Sequence, residues 1–507
     1  MSKLDILFVE PNSSQEAYQE LSHTFSAIET PTWSLLLAQS CRTKGFSVAI
    51  LDCVAERLTA GESAMRIKDL NPRLVCFVVY GQNPNSGTVN MSGAYKVASL
   101  LHENFPHLKI GFVGSHTSAL PREVLSQPFV DFVFVGDGVY AIQNLLKTNL
   151  TDYLDKVNGV GWKSYDGSMQ FNKPEIVVPH DKMDQDLPGY AWDLLPYRSK
   201  PLDLYRSHFW HSEFNYEKRT PFASIYTSFG CQFKCDFCMI SQINRQTFDE
   251  DYSGEKRNFM RYWSSDVILK EFDKLANLGV KTLRISDEMF FLNKKHFEPI
   301  INGLVERDYG FNMWAYSRVD TVQPKFLESF KKAGINWLAL GVEAANQEIR
   351  YEISKGTFKN INIKDVTKTV HDAGLNIISN YIFGFPDDTI ETMQQTLDLA
   401  LELNTETVNM YPCQALPGSA LYLQAKKNGW ELPKTPEGFA FLSYDSSPLP
   451  TKHLTSAQVL AFRDKAWSTY FSSPKYLELV EQKFGLNQRN NVQDMAKVKL
   501  KRKLLGD

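Results

Sequence analysis

Three of the chain's seven cysteines crowd into one nonapeptide, Gly230-Cys231-Gln232-Phe233-Lys234-Cys235-Asp236-Phe237-Cys238. The thiolate is the metal-binding form of cysteine, and thiolates at Cys231, Cys235 and Cys238 can hold three irons of a four-iron, four-sulfur cube. No fourth cysteine lies nearby, so one iron of such a cube is left for a chelating ligand from outside the protein. A structural zinc ion and three ordinary buried cysteines are the competing readings. Zinc takes a fourth protein ligand at conventional spacing, and the nearest upstream histidine, His211, is 20 residues before Cys231. Seven unevenly spaced cysteines do not make a secreted disulfide framework. A thiol cluster of this kind points to a reducing compartment, hence a cytoplasmic location.

A second group of chemically unusual residues recurs at the ends of apolar runs in the first 150 residues: Glu10-Pro11-Asn12, Tyr80-Gly81-Gln82-Asn83, Gly114-Ser115-His116-Thr117 and Gly136-Asp137-Gly138. Glycines there let backbone approach a bulky ligand, and Asn12, Gln82 and Ser115 supply neutral hydrogen bonds. No G-x-G-x-x-G follows the first run and no G-x-x-x-x-G-K-[ST] occurs, so neither a dinucleotide nor a nucleotide phosphate is indicated. Further on, Tyr411 and Cys413 share one strand face by the two-residue period. Both are candidates for a catalytic role or a substrate-pocket wall, against the ordinary reading of Cys413 as a small core residue.

The elements that must position these residues form two α/β series. Apolar runs at 5–10, 46–52, 74–80, 109–115 and 131–137, with helices at 33–44 and 91–101, predict an open, doubly wound parallel sheet over residues 1–150. Ligands of such sheets sit over the carboxyl ends of the strands. Residues 151–215 read as a connection, with a short hairpin at Gly159-Val160-Gly161-Trp162 and a proline-bearing crossing. Strands at 223–228, 282–286, 312–318, 337–343, 376–383 and 408–414 then alternate with helices such as 265–278, 323–333 and 363–373. Six βα units over 216–425 are fewer than the eight of a closed barrel and predict a partial, crescent-shaped one. Residues 426–507 read as mainly helical, with Thr455-Ser456-Ala457-Gln458 capping a helix that buries Val459, Phe462, Ala466 and Tyr470 and carries little functional content.

The cysteine arrangement, with aromatic Phe237 before the last cysteine and a partial barrel around it, resembles the radical S-adenosylmethionine superfamily over residues 221–418. The resemblance implies that the amino and carboxylate groups of S-adenosylmethionine chelate the fourth iron, and that electron transfer from the cluster cleaves the sulfonium to a 5'-deoxyadenosyl radical. It implies further site residues. Ser286-Asp287-Glu288 stands where many members have Gly-Gly-Glu, beside the methionine amino group, with Asp287 the expected contact. Arg318 and Glu343 end the third and fourth barrel strands, Glu343 near the ribose. Gly384 and Phe385, in Ile382-Phe383-Gly384-Phe385-Pro386, correspond to the adenine-side segment, where backbone does most of the binding.

The front half resembles the cobalamin-binding domain of the B12-dependent radical enzymes, most closely their class B methyltransferases. The resemblance rests on Pro31-Thr32-Trp33-Ser34-Leu35, Gly114-Ser115-His116 in place of Gly-Gly-x-His, and Gly136-Asp137-Gly138 in place of Gly-Glu-Gly. It implies corrin contacts at Asn12, Trp33, Tyr80, Gln82, Gly114, Ser115, His116, Gly136, Asp137 and Gly138. Asp-x-His-x-x-Gly, the signature of a histidine below cobalt, is absent, and His116 is expected at the corrin periphery or on the surface.

Together the two resemblances imply a cobalamin-dependent radical methyltransferase. The radical removes hydrogen from an unactivated carbon of a small molecule, and methylcobalamin donates the methyl group. A cobalamin-dependent cyclase or rearrangement enzyme, and a corrinoid carrier or sensor without catalysis, are the alternatives. An external electron donor such as flavodoxin or ferredoxin is implied as partner. Composition agrees: 43% hydrophobic and 22% charged residues are globular proportions, and a net charge of -3 suggests no polyanion or nucleic-acid partner. The basic stretch Lys497, Lys499, Lys501, Arg502 and Lys503 reads as a solvated end. Asp5 interrupts the opening apolar run before a signal-peptide core, and no stretch is long and apolar enough to predict a membrane span.

Overall fold

The strand order of the first sheet follows from where its apolar runs are uninterrupted. β1 (Ile6–Glu10) and β3 (Leu74–Val78) are fully buried along nearly their whole length and lie inside. β2 (Val48–Asp52) takes the edge, and β4 (Lys109–Val113) and β5 (Phe132–Phe134) continue the parallel ladder beyond β3. Helices Thr32–Thr43 and Gly87–Asn104 supply cover. The sheet does not stop at residue 150. The hairpin β6 (Val160–Lys163) and β7 (Met169–Phe171) adds antiparallel to β5, with Trp162 opposite Phe132. The computed structural model describes residues 4–211, 218–251, 259–354, 358 and 360–507.

The second sheet is built in chain order. β8 (Phe222–Ile225) is followed by a two-stranded ribbon, β9 (Ser228–Phe229) and β10 (Arg261–Tyr262). Then come β11 (Thr282–Ile285), β12 (Asn312–Arg318), β13 (Ile335–Glu343), β14 (Asn376–Phe383) and β15 (Thr407–Pro412). The six long strands pair in parallel, each with its predecessor, in the order β15-β14-β13-β12-β11-β8, an open crescent. Side chains start its helices where needed: Ser264 caps Ser265–Asn277 and Asn362 caps Ile363–Asp372.

The connection is packed into the seam rather than tethering two bodies. Tyr190 donates to the Tyr226 carbonyl (2.8 Å), Trp263 to the Leu187 carbonyl (2.7 Å) and Trp192 to Glu271 (2.9 Å). One apolar cluster runs from Trp33 and Tyr80 through Tyr190 and Tyr205 to Phe229 and Ile225.

The last region is helical, with Ser456–Phe471, Pro474–Phe484 and Leu486–Lys497. Thr455 and Gln458 form the expected capping box, and Val459, Phe462, Ala466 and Tyr470 are buried. Tyr470 and Arg463 reach the barrel's last strand, donating to the carbonyls of Thr405 and Met410 (both 2.6 Å). The basic stretch is only partly solvated. Arg502 is buried, paired with both Asp464 oxygens at 2.9 Å and bonded to the Ser443 carbonyl, because a guanidinium can leave water when its donors are all met. From the front of the chain, Gln19 clasps this region, donating to the carbonyls of Leu442 (2.7 Å) and Lys501 (3.1 Å). Among the described residues no helix is long and apolar enough to cross a membrane.

Candidate functional site

The carboxyl ends of the two sheets face one another across a cavity of about 580 Å3. The first sheet contributes Glu10, Trp33, Tyr80, Gln82 and Asn85 to its wall. The barrel contributes Arg284, Glu288, Arg318, Glu343, Tyr411, Cys413 and Gln414. The helical region closes it with Phe441, Arg463, Trp467 and Phe471. That last contribution was invisible in the sequence, where the amphipathic pattern reported only which face packs on the barrel.

The cysteine loop begins at Gly230, whose φ of +91° and tight fit require glycine: a Cβ there would lie 2.2 Å from the Phe259 carbonyl oxygen. Cys231 is buried, and Cys235 and Cys238 are half-buried. Burial pushes the Cys231 and Cys238 thiols up to about 12 and Cys235 well above its ordinary value; repulsion from Cys238 adds to the rise of Cys231 and Cys235, and repulsion from Glu288 and Glu343 to that of Cys238. Three such sulfurs ionise together only beside a compensating positive charge, which the irons of a cluster supply. Sulfur acceptors are also prepared: Phe233 N–H donates to Cys231 Sγ (3.4 Å) and Asn85 Nδ2 to Cys238 Sγ (3.6 Å). The donor set therefore fits an iron–sulfur cluster. Among the described residues no three His, Cys, Asp or Glu side chains converge closely enough for a single metal ion. Cys41, Cys53 and Cys76 are buried in the core of the first domain.

Adjacent carboxylates at the end of β11 have opposite surroundings. Asp287 accepts from Thr227 N–H (2.6 Å), Thr227 Oγ1 (2.6 Å) and Ser228 Oγ (2.5 Å), and so pins the turn before the cysteine loop to β11. It lies outside the cavity wall. Glu288 is in the wall, with Oε1 buried and without a hydrogen-bond partner; burial pushes its carboxyl up to about 7, against the pull of Arg284. Ser286 Oγ is likewise buried and unpartnered. Arg318 chelates Asp320 at 2.9 and 2.6 Å and stacks on Phe233 at 3.8 Å, bracing the cysteine loop. Glu343 occupies a bulge where β13 slips register against β14, with a φ of +66° unusual for a side-chain-bearing residue. Burial pushes it up to about 7, opposed by Arg318.

The N–H groups of Gly384 and Phe385 both donate to Asp388 Oδ2 at 2.9 Å, so this stretch of backbone is satisfied internally. Phe385 faces Phe237, ring centres 5.8 Å apart, over a smaller cavity of about 160 Å3 beside Asp236 and Leu421. Tyr411 meets Phe441 edge-on at 4.9 Å. Gln414 has both amide atoms buried without partners.

The front-domain residues divide. Trp33 stacks between Tyr80 (4.0 Å) and Phe229 (4.5 Å), the residue just before the cysteine loop, and with Tyr80 and Gln82 it lines the cavity. Asn12 turns away, bonded to Ser14 N–H and the Leu58 carbonyl. Gly114, Ser115, His116, Gly136, Asp137 and Gly138 are outside the wall as well. A Cβ on Gly114 would lie 2.4 Å from the Val79 oxygen, and Ser115 Oγ donates to the Pro84 carbonyl (2.5 Å). His116 is neither a surface residue nor in the cavity: it is buried against Thr88 Oγ1 (3.1 Å) and the Glu123 carboxylate (3.7 Å). Gly136 abuts the Arg245 carbonyl, 2.3 Å from where a Cβ would stand, and Asp137 forms a fully buried ion pair with Arg261 of β10 at 2.6 Å. A Cβ on Gly138 would lie 2.6 Å from Val113 Cγ2. The barrel itself covers this end of the sheet edge, which is why its loops are interdomain joints.

One network has no counterpart in the sequence reading. Glu29 receives both carboxylate contacts from Arg284 (2.8 and 2.7 Å), with His208 and Ser224 beside it, and is held down to about 2. A lone Glu before Thr30-Pro31 offers no signal of a partner 255 residues away.

The sequence profile of the Radical SAM superfamily matches residues 225–400, and that of the B12 binding domain matches residues 21–146. An uncharacterized methyltransferase of Pyrococcus horikoshii is 25% identical over 453 residues, covering 88% of this chain and 89% of that protein. The anaerobic magnesium-protoporphyrin IX monomethyl ester cyclase of Rubrivivax gelatinosus is 24% identical over 427 residues, 82% of this chain and 69% of that one. Among solved structures, the radical S-adenosylmethionine methyltransferase TsrM of Kitasatospora setae, with cobalamin and a [4Fe-4S] cluster bound, superposes with a TM-score of 0.65. The match has 13% identity and covers 98% of this chain and 99% of that one. The cobalamin-dependent radical enzyme OxsB gives 0.65 at 15% identity over 97% of this chain and 70% of its own. At these identities the superpositions speak to the fold.

Proposed function

This chain is a cobalamin-binding radical S-adenosylmethionine enzyme, and we propose that it is a methyltransferase acting on a carbon of a small molecule. The observation that carries the reading is a cavity walled jointly by the barrel mouth, Phe237 of the cysteine loop included, and the strand ends of the B12-binding domain. When bound, the cluster with S-adenosylmethionine supplies a hydrogen-abstracting 5'-deoxyadenosyl radical, and the corrinoid in its methylated form supplies the methyl group.

The chain's own groups would divide the work. Cys231, Cys235 and Cys238 hold the cluster. Glu288, with an unpartnered oxygen, is better placed than Asp287 to meet an ammonium group, and Glu343 takes a ribose hydroxyl. Phe237, which lines the cavity, would meet the adenine, with Phe385 packed behind it. Trp33, Tyr80 and Gln82 form the shelf for the corrin, with His116 too deeply buried to reach it. Tyr411, Cys413 and Gln414 remain for substrate, and Phe441, Trp467 and Phe471 exclude water from the radical. An external one-electron donor such as flavodoxin or ferredoxin completes the system.

Methyl-labelled S-adenosylmethionine tests this without knowledge of the substrate. Anaerobically reconstituted protein with reductant and hydroxocobalamin should move label onto the corrinoid and release 5'-deoxyadenosine, and the Cys231→Ala, Cys235→Ala, Cys238→Ala triple variant should release none. Release of 5'-deoxyadenosine with no label on the corrinoid would favour ring closure without methylation, the reading that the cyclase relative supports.

A further inference from the structure

Asn85 belongs to the B12-binding domain by sequence yet touches the cysteine loop. It is the middle residue of the short turn Pro84–Ser86 after β3. Its Nδ2 donates to Cys238 Sγ (3.6 Å) and its Oδ1 accepts from Met239 N–H (2.9 Å). The second bond fixes the first. Flipping the amide would set an oxygen against the sulfur and an NH2 group against an N–H, so the donor faces Cys238.

The turn is held from three sides. Asn83 Oδ1 accepts from Asn85 N–H (3.0 Å), and Ser115 Oγ donates to the Pro84 carbonyl (2.5 Å). The turn also packs against Ile240–Asn244, just beyond Cys238. Gly81, Gln82, Asn83, Asn85 and Ser86 simultaneously line the cavity where the corrin shelf lies. One rigid loop therefore has one side on the corrinoid space and the other on a cluster ligand.

We propose that Asn85 is a positioning residue that sets the reduction potential of the cluster, and that through residues 81–86 it makes this potential respond to a corrinoid in the cavity. The proposal rests on the cluster reading above. Reduction by one electron from an external low-potential donor adds one negative charge to the cluster and its thiolates. An N–H aimed at a ligand sulfur stabilises the more negative state and so raises the potential.

The test is an anaerobic redox titration of reconstituted full-length protein, read by electron paramagnetic resonance of the reduced cluster, with and without hydroxocobalamin. Asn85→Ala should keep its iron and sulfide yet titrate lower, with about a tenfold smaller reduced-to-oxidised ratio at a fixed poise, which for one electron is about 59 mV. Asn85→Asp keeps the shape and the acceptor for Met239 but turns an acceptor toward the sulfur, and should move the potential further the same way. Hydroxocobalamin should shift the wild-type potential and leave Asn85→Ala unmoved. Wild-type potentials in both variants would overturn the tuning, and an equal corrinoid shift in wild type and Asn85→Ala would overturn the coupling. Wild-type protein that takes up no iron and sulfide would instead sink the cluster reading, and this proposal with it.

Discussion

Glu288 and Asp287 are neighbours with the same charge, and their surroundings assign them different work. Three donors from Thr227 and Ser228 already satisfy Asp287, whereas one oxygen of Glu288 has none. Glu288→Gln should weaken S-adenosylmethionine binding by about 1.5–3 kcal/mol, roughly ten- to a hundred-fold, in calorimetry of the reconstituted protein. Asp287→Asn should lower thermal stability instead. The pH dependence carries a sign. Glu288 and Glu343 are raised from 4.5 to about 7, so the ligand-free fold keeps these protons after the unfolded chain has lost its own. The stability that these two groups contribute therefore falls as pH rises between those values and is lost above about 7. Affinity for a cationic ligand runs the other way, rising to about pH 7 in the wild type and rising less in Glu288→Gln. The cysteine loop was legible because its ligands are local in sequence. Which of Asp287 and Glu288 keeps an unpartnered oxygen was not, because Thr227 and Ser228 arrive from about 60 residues earlier and claim one carboxylate.

At the scale of elements, alternation and apolar runs located nearly every strand to within two or three residues, since each long strand is buried and periodicity records burial. They could not record what covers a strand's end. Loops 114–116 and 136–138 end their strands as expected, yet Arg245 and Arg261 of the barrel occupy the space beyond Gly136 and Asp137, and Val79 closes on Gly114. The helix Ser456–Phe471 makes a comparable claim on Gly384, where φ is +87° and a Cβ would lie 2.4 Å from Val459 Cγ1. Gly384→Ala should cost roughly 1–2 kcal/mol for the left-handed backbone and roughly 1–3 kcal/mol for overpacking. Chemical denaturation measures it, and a further change of Val459→Ala should recover the packing share alone. Full stability in Gly384→Ala would show that the helix does not press on this strand end.

For the whole molecule, the joint between domains sets an ion pair beside an aromatic stack: Arg261, paired with Asp137, lies over the ring of Phe229, on which Trp33 stacks. Asp137 and Arg261 are both fully buried, so removing one leaves an uncompensated charge: Asp137→Ala should cost about 3–5 kcal/mol, and adding Arg261→Met should restore much of it. Denaturation of the two variants decides, and equal stability of both would mean the pair is solvated. The clasp of Gln19 on Leu442 and Lys501 has a consequence in time rather than in space. During synthesis residue 19 emerges 423 and 482 residues before its partners, so for most of translation the corrin shelf stands without its roof. Where that roof bars entry, a corrinoid reaches the open ledge of the nascent chain sooner than the covered shelf of the finished protein. Cell-free synthesis with hydroxocobalamin present should fill the protein faster than addition after release. Gln19→Ala should narrow that gap, and identical rates in both orders would mean that the roof never bars entry.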